Sequence, residues 1–121
     1  MDPVDLLSGV RVLDATSVLA GPLCTYLLTL AGAEVIKVEL PETGDFTRSI
    51  GPDSELNARK MGVSFLAQNA SKQSITLNLK DEEGKDLFWR LSRNCNVVVE
   101  KFRSGVTAGL DRPLRAIFVW H

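Results

Sequence analysis

Two short stretches of this chain hold residue types that could grip a ligand. The first, residues 16–22, runs Thr-Ser-Val-Leu-Ala-Gly-Pro. Ala20 and Gly21 are small enough for a ligand to approach the backbone, and the free N–H groups of a helix starting there suit an anion or an adenine ring. The same Gly-Pro step would equally serve as a plain helix-starting turn. The second stretch, residues 100–105, sets Lys101 and Arg103 on either side of Phe102. Two cations and an aromatic ring match the phosphates and base of a nucleotide, or else describe a solvated loop whose Phe tucks into the core.

Both stretches need a scaffold that brings them to one end of a sheet, and the flanking pattern supplies one. Residues 9–14 read as a strand with Val10 and Val12 on one face and Leu13 on the other. A helix should follow to about Ala31, with Pro22 at its first position, Leu23, Leu27, Leu28 and Leu30 as its apolar stripe, and Gly32 as a left-handed stop. Residues 33–39 form a second strand. The order then returns: residues 74–79 alternate so that Ile75, Leu77 and Leu79 share a face, and Asp81 can cap a helix whose buried stripe is Leu87, Phe88 and Leu91. Asn94 offers that helix a stop, and the valines of residues 96–99 suit an interior strand.

Two strand-helix-strand units predict an α/β fold with a mostly parallel sheet, whose ligands sit at the carboxyl ends of the strands. Both candidate stretches fall there. Between the units, residues 40–73 are too long for a plain connection. Pro41, Gly44, Gly51 and Pro52 break this segment into turns, and residues 61–68 fit a short helix or a strand equally well.

Composition excludes several classes. The chain has 121 residues, enough for one domain, of which 45% are hydrophobic and 24% charged, with 14 basic against 15 acidic side chains. That balance is unlike a disordered chain or a nucleic-acid surface. Its apolar runs are too short or too interrupted for a bilayer, which needs about 20 apolar residues. Asp2 and Asp5 make the start acidic, unlike a secretory or transit signal, so the expected location is intracellular, cytoplasmic or mitochondrial. Cys24 and Cys95 have no metal-ligand or CxxC spacing and are expected to be reduced core thiols; no metal is expected. Glu39 stands where a dinucleotide fold keeps its ribose-binding acid, but G-x-G-x-x-G is absent, as is a phosphate-binding G-x-x-x-x-G-K-[ST]. His121 lacks the neighbours of a catalytic triad.

Several motifs together resemble the opening of the family III CoA-transferases. They are Gly9-Val10-Arg11-Val12-Leu13-Asp14, Val18-Leu19-Ala20-Gly21-Pro22 with Cys24-Thr25, and Gly32-Ala33-Glu34-Val35-Ile36-Lys37-Val38-Glu39. Gly44-Asp45-Phe46-Thr47-Arg48 is similar to that family's G-D-x-T-R, Lys72-Gln73-Ser74-Ile75-Thr76-Leu77 to its K-R-S-I-x-L, and residues 99–106 to its V-E-N-F-R-P-G-V. The likeness covers residues 9–106, while residues 111–121 diverge.

The resemblance implies a Rossmann-like sheet with helices on both faces, incomplete relative to the full family fold, and a homodimer of interlocked rings in the longer family chain. It implies coenzyme A, bound as acyl-CoA, and a carboxylic acid acceptor as partners, with no nucleic acid or membrane. An aspartate attacks the thioester in that family, which is covalent catalysis by a carboxylate. Carried over by position, Val18 and Ala20 line the CoA site and Phe102 lies by the nucleotide, flanked by Lys101 and Arg103. Arg48 and Lys72 are candidates for polar contacts around the cofactor or for structural roles.

Departures also have consequences. Lys101 replaces the family's Asn and Ser104 its Pro, while Leu19 and Leu40 stand where the oxalate-specific branch has Gln and Arg, so oxalate is not a favoured acceptor. The nucleophilic aspartate belongs to a later segment, and Asp14, Asp45 and Asp111 do not match its motif. The expectation is therefore a truncated chain, inactive alone. Two further readings are a fragment like the α-methylacyl-CoA racemases, which share this opening, and a noncatalytic CoA-binding or interaction fragment.

Overall fold

The computed structural model describes residues 5–101 and the backbone of residues 117–119. The chain opens with strand β1 (Arg11–Ala15), helix α1 (Ala20–Leu30) and strand β2 (Glu34–Glu39). A 3-10 turn (Phe46–Ser49) and helices α2 (Ser54–Ala58) and α3 (Val63–Asn69) then occupy the long connection. Strand β3 (Gln73–Thr76), helix α4 (Glu82–Arg93), and strands β4 (Val97–Glu100) and β5 (Ile117–Val119) complete the described elements. The strands form a five-stranded sheet in the order β3-β2-β1-β4-β5, and every neighbouring pair is parallel.

Alternation along the strands sends side chains to two separate cores. On one face Val12, Ala33, Val35 and Val99 pack with Leu28 of α1. On the other, Leu13, Val38, Leu77 and Val98 pack with Phe88 and Trp89 of α4. A strand covered on both faces needs apolar residues at successive positions, which is why Val12-Leu13 and Val98-Val99 read as runs. Ile75 and Leu79 join Leu77 on the α4 face, as their spacing predicts.

Helix α1 differs from its expected orientation. Leu23, Leu27 and Leu30 are exposed, and the residues it buries are Gly21, Pro22 and Thr25, with Leu28 against the sheet. Small residues bring the helix close to the strands, and the Thr25 hydroxyl turns inward to donate to Asp14 Oδ2 at 2.6 Å. A hydrogen bond in the interior therefore orients the helix, not its leucine stripe. The helix also begins at Ala20, two residues before Pro22, at no cost because the first N–H groups of a helix have no intrahelical partner. Gly32 ends this unit at φ +99°, the left-handed conformation that a side chain resists.

Cys24 is exposed on α1 and Cys95 is partly buried, so the first is no core thiol. Asp81 stands at the N-cap of α4, but its side chain makes no capping hydrogen bond and accepts instead from the Asn78 amide at 2.8 Å. Trp89, absent from the expected stripe, is buried edge-to-face against Phe88, with ring centroids 6.2 Å apart. Of the two alternatives for residues 61–68, the helix is the one formed: α3 begins at Val63, with Gly62 as its N-cap. Among the described residues, no helix is long and apolar enough to cross a membrane.

Gly84 shows how closely α4 is seated. A Cβ built there would lie 1.9 Å from the Asn78 carbonyl oxygen. Helix propensity alone would favour Gly84→Ala by about 1 kcal/mol. The backbone clash reverses that sign, and urea unfolding is expected to show a net loss of about 1–3 kcal/mol. Leu27→Gln, on the exposed face of α1, should change stability by less than about 0.5 kcal/mol in the same experiment.

Candidate functional site

The carboxyl ends of the strands open into a crevice of about 610 Å³. Its wall takes Ala15, Thr16 and Ser17 from the segment leaving β1, and Lys37, Val38, Glu39 and Leu40 from the end of β2. Leu77 and Leu79 come from the segment after β3, and Lys101 follows β4. The mouth is completed by residues of the long connection, among them Gly44, Asp45 and Phe46. The sheet order reverses at β1, whose two neighbours, β2 and β4, lead away in opposite directions. A reversal of this kind leaves room above the strands for a ligand.

Beneath and beside the crevice lies a layer of buried charge. Three ion pairs among the described residues hold it together: Lys37 with Asp45, Arg48 with Glu39, and Lys72 with Asp14. Each joins groups from different parts of the chain. Lys37 Nζ donates to the Thr16 carbonyl at 2.9 Å and lies 2.9 Å from Asp45 Oδ2, an ion pair whose angles fall short of a hydrogen bond. Asp45 Oδ1 accepts from the Thr47 N–H and hydroxyl, which closes the 3-10 turn, and from the Val18 N–H at the long distance of 3.5 Å.

Glu39 is held by a two-pronged contact: Arg48 Nε donates to Oε1 and Nη2 to Oε2, both at 2.7 Å. Ser74 Oγ and the Asp45 N–H donate to the same carboxylate. Burial alone would raise the Glu39 pKa, but these donors and the Arg48 charge outweigh it and hold the carboxyl at about 2. Asp45 is likewise lowered despite its burial, through the Lys37 charge and the Thr47 bonds. Arg48 is raised by Glu39, and its guanidinium also stacks 3.7 Å from the centre of the Phe65 ring.

Lys72 enters from beside α3. Its ammonium donates to Asp14 Oδ2 at 3.1 Å, to the Pro22 carbonyl at 2.9 Å and to Asn69 Oδ1 at 2.9 Å. Burial pushes its pKa down while Asp14 opposes the shift. Three partners match the three protons of an ammonium, so the Lys72 donors are engaged within the protein.

The structure separates the residues singled out in the sequence. Lys101 lines the crevice and is exposed. Val18, in the loop that continues from Ser17, and Ala20, the first residue of α1, are exposed and outside the lining, and Val18 has φ +74°, a left-handed conformation that strains a β-branched residue. The Gln68 amide, oriented to donate, reaches the Val18 and Leu19 carbonyls at 3.1 and 3.2 Å. Arg48 and Lys72 lie in the ion-pair layer and do not line the crevice. Phe102 and Arg103 fall outside the described residues. Sequence reading missed Lys37 and Glu39 as a charged floor, although alternating charge within the apolar strand at residues 33–39 was the available signal.

The pH response of this layer follows from Glu39. Its folded pKa lies below its unfolded value, so the stabilisation is fully present above about pH 4.5 and is lost as the pH falls toward about 2. A shift of that size corresponds to about 3 kcal/mol at pH 7. Glu39→Gln should lose about that much in urea unfolding at pH 7, and the gap to the wild type should shrink by about half at pH 3.

The model of CoA-transferase family III matches residues 7–114. The formyl-CoA:oxalate CoA-transferase of Afipia carboxidovorans is 48% identical over 106 residues, covering 88% of this chain and 24% of that protein. The enzyme of the same name from Rhodopseudomonas palustris is 47% identical over the same span. The chain thus spans about a quarter of the length of the curated relatives it matches. Among solved structures, the hypothetical protein Rv3272 from Mycobacterium tuberculosis is similar with a TM-score of 0.78 at 40% identity, covering 91% of this chain and 29% of that one. A CAIB/BAIF family protein from Brucella suis matches with a TM-score of 0.76 at 38% identity, over 88% of this chain and 28% of that one. With a family match over nearly its whole length and the parallel α/β sheet of its structural neighbours, this chain belongs to CoA-transferase family III.

Proposed function

We propose that this chain provides the CoA-binding platform of a family III CoA-transferase and does not itself carry the chemical step. The observation that supports the reading is the crevice at the strand ends in a chain of this family. Its size suits an extended cofactor-like ligand, since small-molecule sites typically measure about 300–1,000 Å³. Val38, Leu40, Leu77 and Leu79 offer apolar surface to the pantetheine arm, and Ser17, Thr43 and Ser49 offer hydroxyls. Lys101 brings a cation for the phosphates, with Phe102 and Arg103 next in the chain, while Val18 and Ala20, outside the crevice lining, would meet the ligand only where it extends past Ser17.

In the full family reaction, a carboxylate attacks the acyl-CoA thioester carbonyl and the CoA thiolate leaves, forming an acyl anhydride. The thiolate then attacks the enzyme's own carbonyl of that anhydride, releasing the free acid and leaving CoA on the carboxyl group until an acceptor carboxylate repeats the exchange. Such a nucleophile needs free lone pairs and moderate basicity. The carboxylates at this crevice are poorly suited. Asp14 accepts from Thr16, Thr25 and Lys72, Asp45 from Thr47 and Val18, and Glu39 from Arg48, Ser74 and the Asp45 N–H. At Glu39 and Asp45 the contacts also lower the carboxyl pKa, and with it the basicity and the reactivity toward a thioester. This favours a binding platform over a self-sufficient transferase, and its partners in the complete reaction are an acyl-CoA and a carboxylic acid.

Calorimetric titration with CoA tests the binding half of this reading. The wild-type chain should bind saturably, and Ser17→Trp, which fills the wall beside β1, should remove the binding while preserving the circular dichroism spectrum. Undiminished CoA affinity in the folded variant would place the ligand elsewhere. For the chemical half, incubation with succinyl-CoA and dicarboxylic acceptors should give no CoA transfer above background. Transfer that survives further purification would locate a nucleophile within these 121 residues.

A further inference from the structure

The 3-10 turn at the mouth of the crevice inverts the usual pattern of burial. Asp45 and Thr47 are buried within it, while Phe46 between them is 69% exposed. An exposed large aromatic beside buried polar groups is an informative departure, because placing Phe inside and the polar residues outside would ordinarily be favourable. The turn is not loose. Asp45 caps it through the Thr47 N–H, Gly44 N–H donates to the Leu40 carbonyl, and Arg48, the third residue of the turn, is locked to Glu39. The backbone at Phe46 is thus held by its neighbours on both sides, and Phe46 is one of the residues that line the crevice.

We infer that Phe46 is a base-stacking residue, presenting its ring to the adenine of a CoA-type ligand bound in this crevice; the inference rests on the proposed CoA site. A fixed aromatic face suits a planar heterocycle because its contact area is large and its ordering entropy is already lost. The rest of the crevice supports the assignment. Its apolar stretch (Val38, Leu77 and Leu79) is aliphatic, so Phe46 provides the one π face among the described lining residues. Lys101, also a lining residue, provides a cation for the phosphates.

The test measures affinities of wild type, Phe46→Ala and Phe46→Trp for CoA and for adenosine 3′,5′-bisphosphate, which carries the base and phosphates without the pantetheine arm. Thermal melts accompany each variant and should be unchanged, since the side chain is mostly exposed. Phe46→Ala should weaken both ligands by about tenfold, within the range expected for stacking one base, and Phe46→Trp should restore the affinity. Wild-type affinity for both ligands in Phe46→Ala would overturn the inference while leaving the CoA site standing. A loss for CoA alone would assign Phe46 to the pantetheine arm and refute the base contact. No binding of CoA to the wild-type chain would overturn the site and the inference together.

Discussion

The layer of ion pairs under the strand ends is the constraint on which the rest of this molecule depends. Lysine and arginine side chains leave water at a cost of several kcal/mol unless they are paired and hydrogen-bonded. Here Lys37, Lys72 and Arg48 each meet a carboxylate from elsewhere in the chain, and each also donates to at least one carbonyl or amide oxygen. The pairs join β1 to the approach to β3, and β2 to the turn at residues 45–48. Removing one partner would leave a charge in the interior, so these pairings fix where the segment between β2 and β3 can lie.

Fixing that segment shapes the crevice. A connection of this length would otherwise sample many paths, and the loop-closure entropy penalises it only weakly for doing so. Lys37 binds both the Thr16 carbonyl and Asp45, which places the segment leaving β1 beside the 3-10 turn, and both contribute residues to the crevice wall. The same contacts that build the walls also engage the acids within them, Asp14 and Glu39 through hydrogen bonds to both carboxylate oxygens and Asp45 through hydrogen bonds to Oδ1 and an ion pair at Oδ2. Structural need and chemical reactivity therefore compete for the same carboxylates, and at this end of the sheet structure takes precedence. That division is the basis on which the CoA platform is proposed.

Much of the fold is legible in the sequence because its cause is local. The strands announce themselves through Val12-Leu13, Val35-Ile36 and Val97-Val98-Val99, and Gly32 and Asn94 stop the helices where expected. What local pattern cannot carry is strand order. β3 and β4 flank one helix in sequence, yet β2 and β1 lie between them in the sheet. The orientation of α1 was hidden for a similar reason. Its leucines form a plausible stripe, but Asp14, eleven residues before Thr25, decides which side faces in. For the site, Lys101 was readable as a cation following an interior strand. The roles of Arg48 and Lys72 required seeing Glu39 and Asp14 across the fold, and Phe46 stands out only once its buried neighbours are known.

The most direct test of the CoA platform is an amide chemical-shift map of the isotopically labelled chain titrated with CoA. Binding in the crevice should shift Ser17, Leu40, Gly44, Phe46 and Leu79 saturably and together, while Leu23 and Leu27 on the outer face of α1 stay fixed. Shifts confined to α1, or no saturable shifts at the strand ends, would contradict it.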